Sequence, residues 1–191
     1  MASNGFRERI LEIAEDGAAL GNSVTETSLL PTSRLVAAFP IGYFDRVGRV
    51  IEAEFGGRIS NRVTGPDTFK FRLFFGSVAV FDSGLIPLNV VAKTNVPWRL
   101  KLKLVTRAFG GGTSTTLFPI ACDFTSEAVI GSPAATAGGN GCLLLPFNTA
   151  PVVGSGFDNG ASQLIDLKGT HSVANASNTI TLHGGHVDIY S

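Results

Sequence analysis

The 191-residue chain has three histidines, and two of them stand in one short run, His183-Gly-Gly-His186-Val-Asp188. With His171 upstream, this run offers nitrogen and oxygen donors of the kind that hold zinc and related metals. The spacing argues against such a site. In a regular strand, positions i and i+3 face opposite ways, so the two glycines would have to bulge or bend to bring the rings together. His186 and Asp188 share a face, but two ligands fall short of a site. The simpler expectation is a glycine kink in the last strand carrying surface histidines, with no metal and no other cofactor.

Glu52 and Glu54 alternate within RVIEAEF (49–55). Same-face neighbours on a strand lie about 7 Å apart, a spacing within the reach of glycosidase carboxylate pairs. Such pairs ordinarily flank a groove from different strands, so two glutamates on one strand read as decoration of a solvated face. The stretch WRLKLKLV (98–105) alternates Trp98, Leu100, Leu102 and Leu104 with Arg99, Lys101 and Lys103. A cationic row can track phosphates, but sheets that bind nucleic acid interleave cations with exposed aromatics. Here the one aromatic, Trp98, lies on the apolar side. Glu52 and Glu54 supply a matching acidic row, and cross-strand pairing accounts for both. AFGGGTST (108–115) lacks the Gly-Lys-Ser/Thr ending of a phosphate loop and reads as a hairpin connection. No Gly-x-Ser-x-Gly elbow is present. Asn175-Ala-Ser177 fits a glycosylation acceptor, with no secretory signal to support its use. No catalytic residue is nominated, and the chain is not expected to be an enzyme.

The elements that would position these residues follow from pattern and composition. Lys+Arg and Asp+Glu balance at 15 each, which removes the long-range attraction of a nucleic-acid or anionic-membrane binder. Charged residues are 16% of the chain, against roughly 25% in an ordinary soluble domain. With 14 Phe, that shortage suggests that much of the surface lies against protein. The N-terminal MASNGFRERILEIAED shows no export signal, so Cys122 and Cys142 are expected to be reduced thiols in a cytosolic setting. No apolar run approaches the roughly 20 residues of a membrane helix. Ile10, Leu11, Ile13 and Ala14 give residues 1–20 a helical look, with Gly17 as the stop, and so short a segment needs a partner surface. From 22 onward the pattern is strands and turns: 22–29, 49–55, 69–75 paired with 77–83, 98–105 paired with 115–124, 142–147, 161–167 and 177–190. Turns are expected at 65–67 and 131–141. About eight to ten strands result, predicting an all-β, jelly-roll-like antiparallel sandwich over 22–191, preceded by a helical or extended arm over 1–21.

The order of these segments resembles that of a loose group of tailed-bacteriophage virion proteins with jelly-roll domains. The segments carrying the likeness are NSVTETSLLPTS, VGRVIEAEFGGRIS, TFKFRLFFGSVAVFDSG, PWRLKLKLVTRAFGGGTST and ASNTITLHGGHVDIY. The resemblance implies a non-enzymatic, usually trimeric component of the virion, assembled in the host cytoplasm. On that footing the chain is expected to be a capsid decoration or cement protein. It would bind copies of itself and the major capsid protein, with no direct contact to nucleic acid or membrane. Phe6, Ile10, Leu11 and Ile13 would form an arm reaching onto a neighbour. The alternative is a tail-fibre or receptor-binding domain that recognises host-surface glycans, with Tyr43, Phe44, Phe157 and Asp158 on exposed loops.

Overall fold

Period-two alternation runs through the long segments, and burial follows it residue by residue. The computed structural model describes residues 6–63, 67–130 and 141–190. Among the described residues thirteen strands occur in chain order: β1 (Arg7–Ile13), β2 (Leu20–Gly21), β3 (Thr27–Ser28), β4 (Ala38–Phe39), β5 (Val50–Asn61), β6 (Thr68–Phe75), β7 (Val78–Asp82), β8 (Ile86–Pro87), β9 (Lys93–Ala108), β10 (Thr116–Ser126), β11 (Cys142–Leu144), β12 (Gln163–His171) and β13 (Thr179–Tyr190). On β5 the residues Ile51, Ala53 and Phe55 are buried and Glu52 and Glu54 are not. On β9 the buried set is Trp98, Leu100, Leu102 and Leu104. Both patterns are those of a sheet with one face on a core and one on water.

The strands form two sheets of an antiparallel sandwich. The larger has the order β1-β13-β5-β9-β10-β11, with β2 also on β13; the smaller has β3-β12-β6-β7, with β4 on β12 and β8 on β6. The expected hairpins β6–β7 and β9–β10 are both present. Eight of the fourteen phenylalanines are fully buried, among them Phe39, Phe44, Phe75 and Phe157. Most of the Phe content therefore fills the space between the sheets. Among the described residues no helix is long and apolar enough to cross a membrane.

The helical reading of the N-terminus does not hold for the described part of that segment. Residues 7–13 are a strand paired along β13, from Arg7 opposite Tyr190 to Ile13 opposite Gly185. A bulge between Arg9 and Leu11 places Ile10 half-buried beside the buried pair Leu11 and Ile13. That one inserted residue turns an alternating strand into a sequence with helix-like spacing. Gly17 is no helix stop either. Its N–H donates to the Leu182 carbonyl, and a Cβ there would lie 1.9 Å from the Leu29 carbonyl oxygen. Residues 7–21 thus contribute two strands to the larger sheet. Of the expected turns, only Asp67 and Gly141 fall within the described residues.

Candidate functional site on the outer face of the larger sheet

Register fixes which polar side chains meet on the solvent face. Glu52 stands opposite Lys103 and Glu54 opposite Lys101. The ion pairs expected from the two rows form, at 2.7 Å for Lys103–Glu52 and 3.6 Å for Lys101–Glu54. The hydrogen bond from Lys103, which outweighs the effect of burial and is joined by one from Tyr190, holds the Glu52 carboxyl below its usual range. Each glutamate is thus engaged by a lysine. On the far side of β13, Asp188 is 1% exposed and lies between two arginines. Arg9 Nε donates to Oδ1 at 2.9 Å and Arg7 Nε to Oδ2 at 3.0 Å, while His186 Nε2 stands 3.4 Å away.

Burial alone would raise the Asp188 carboxyl, but hydrogen bonds from Arg9 and Arg7 and the nearby positive charges hold it below the usual range. A carboxyl lowered in the fold stabilises it above the unfolded group's pKa, and that contribution is lost as pH falls through the folded value. Asp188→Asn should therefore loosen β1. Hydrogen exchange over residues 7–13 is expected to speed up on the order of tenfold or more at pH 7, with β9 and β10 unchanged. Unchanged protection in β1 would show that its backbone ladder alone holds it.

The kink expected in the last strand is a bulge between Leu182 and Gly184. It turns His183 toward Asp16 Oδ1, 2.5 Å away, while Arg58 Nε lies 2.7 Å from the other ring nitrogen. His186 meets Asp188, and His171 is buried in the smaller sheet. Among the described residues no group of three or more His, Cys, Asp or Glu side chains could hold a metal ion. Across the bulge, Gly184 faces Gly56 and Leu182 faces Gly57. This crossing leaves a depression of about 540 Å³, bordered by Glu54, Gly56, Arg99, Gly184, Gly185 and His186. It shares Glu54 and His186 with a neighbouring hollow of about 260 Å³ that reaches Lys101, Lys103 and Asp123. The trough offers glycine backbone, and a row of guanidinium and ammonium donors on β9 flanked by the carboxylates of Glu52 and Glu54 on β5 and of Asp123 on β10. That arrangement suits a polar, hydroxyl-rich or acidic ligand.

The remaining sequence candidates are dispersed. Leu11 and Ile13 are buried in the chain's own core, Ile10 is half-buried, and Phe6 is 60% exposed. Phe44 and Phe157 pack edge to face in the core at 5.0 Å. Tyr43 is half-buried, its hydroxyl on Glu8 and its ring under Arg49. Asp158 accepts the Gly160 N–H at 2.7 Å and closes its own turn. Burial pushes the Cys122 thiol up to about 11, and the Cys142 sulfur accepts from the Thr125 hydroxyl at 3.9 Å. Sequence reasoning missed a set of exposed apolar residues flanking β10. Ile120 projects from its bulge, Leu144 from β11 at 74% exposure, and Val152 and Val153 from a segment whose Gly154 N–H donates to Leu117. The available signal was CLLLPF, where three successive leucines must place one on the outer face.

No known protein family matches the sequence, and no curated protein matches it. A solved structure that aligns with the chain is the CBM2 module of Lactobacillus casei BL23 phage J-1 evolved Dit. The identity is 7% and the TM-score 0.33, over 97% of each chain.

Proposed function

We propose that the protein is a non-enzymatic structural component of a tailed-phage virion, a decoration protein that trimerises and clamps the head shell. The observation that carries this reading is the apolar margin of Ile120, Leu144, Val152 and Val153 along β10. Four exposed aliphatic side chains on β10 and the segments paired with it are apolar surface of the kind that association covers. Many of the protein's ionic groups pair with one another, as in Arg72–Glu26, Arg62–Asp67 and the lysine–glutamate pairs of the outer face. That leaves few charges to keep copies apart.

Light scattering is expected to return roughly three times the 20.0 kDa subunit mass, and electron microscopy of labelled particles to show the protein over the shell. Leu144→Lys combined with Val152→Asp should give a folded monomer that no longer decorates. A native monomer whose label clusters at the tail tip would overturn the reading. The second reading, a glycan-binding domain, is favoured by the polar trough, where Arg99 makes no ion pair among the described residues. Glycan-array binding abolished by Arg99→Ala, with no affinity for heads, would establish that one instead.

A further inference from the structure

His171 is the last core-facing residue of β12, opposite Phe69 of β6. It is 1% exposed, and neither ring nitrogen has a hydrogen-bond partner of good geometry, the Leu20 backbone being placed to offer only a weak one. Buried imidazoles ordinarily satisfy at least one nitrogen, so an orphaned ring calls for a physical account. The ring stands edge-on to Phe69, with centroids 4.7 Å apart. From the larger sheet the Leu20 backbone of β2 bears on it, and from the loop before β6 the Asp67 carboxylate does. Asp67 is already engaged by Arg62 at 2.7 and 2.9 Å and by Asn178 at 2.8 Å. The nearest cations along the strands, Lys70 and Lys168, sit at alternate, half-buried positions and pair with Asp82 and Asp166. His171 thus closes the seam between β2 of one sheet and β6–β12 of the other, and β2 itself pairs with β13 through only Leu20 and Gly21.

We propose that His171 is an acid-sensitive pin on this seam, holding β2 against β6 and β12 while neutral and releasing it when protonated. A charged imidazole there would lack both water and an available counter-ion, so the proton is accommodated by opening the seam. Burial holds the group down to about 4 in the closed form, against the opposing pull of the Leu20 backbone and Asp67. The open form binds the proton at an ordinary histidine value, near 6.5. Closure is therefore fully favoured above about 6.5, weakens roughly tenfold per pH unit below it, and reaches a limit near 4. The whole window amounts to about a 300-fold rise in the open population.

Hydrogen exchange on the full chain at pH 7.5 and 4.5, corrected for intrinsic rates, tests this. Protection at residues 20–21, 68–69 and 170–172 is expected to fall about 100-fold between the two pH values. In His171→Phe, which keeps a ring but has no proton to accept, it should stay flat. Equal pH dependence in both proteins would overturn the proposal. Should His171→Phe fail to fold, NMR titration of the native imidazole decides: a midpoint near 4 supports the pin, and one above 6 removes it.

Discussion

Phe75→Ala is expected to lower the stability of the sandwich by about 3–5 kcal/mol, near the top of what a single truncation does. Phe75 is fully buried at the end of β6. Its ring centroid lies 4.8 Å from Phe39, 5.3 Å from Phe157 and 6.0 Å from Phe44. Those partners come from β4, from the loop that follows it and from the segment after Gly156, and since Phe44 also packs on Phe39 and Phe157, Phe75 ties β6 into one continuous aromatic cluster. Truncation would leave a cavity lined by rings that cannot all collapse into it. For a chain of this length the loss corresponds to a drop in melting temperature of roughly 6–20 °C. Val36→Ala, at an exposed position away from the apolar margin, should stay within about 0.5 kcal/mol in the same denaturant series. A cost for Phe75→Ala below about 1 kcal/mol would mean that the aromatic cluster is not the keystone of the core.

The second large effect concerns backbone alone. A Cβ added at Gly57 would stand 1.9 Å from the Thr181 carbonyl oxygen, 2.9 Å from its carbon and 3.0 Å from Leu182 Cα. Each of these is a main-chain atom, so no rotamer change relieves the clash and β5 must part from β13. Gly57→Ala is expected to cost more than about 4 kcal/mol, seen as loss of soluble protein or of a cooperative unfolding transition. Gly111→Ala is the control, because an added Cβ there meets nothing within 4 Å; it should be neutral. A soluble, cooperative Gly57→Ala protein would show that the glycine crossing beneath the polar trough can widen without harm.

Much of the architecture is legible in residue order. Glu52 and Glu54 can be matched to Lys101 and Lys103 from alternation alone, because it sets the face, and opposite charges prefer opposite positions. The N-terminal segment resists a local reading. Its bulge between Arg9 and Leu11 breaks the alternation at the point where a helix would also place its apolar residues. The loop aromatics Phe44 and Phe157 look available in the chain and are core, since a loop residue's neighbours come from other strands.

The strands, their inward faces and the all-β sandwich are written in the order of amino acids, since these depend on periodicity over a few residues. Folding in three dimensions was needed to show that Asp188, a metal-ligand candidate by residue type, holds Arg7 and Arg9 from the opposite end of the chain. It was needed as well to bury the His171 ring without a well-formed hydrogen bond and to set Leu144 and Val152 on segments that run beside β10 and its exposed Ile120. Such pairings depend on register and sheet order, which arise from contacts distant along the chain and leave no local period to read.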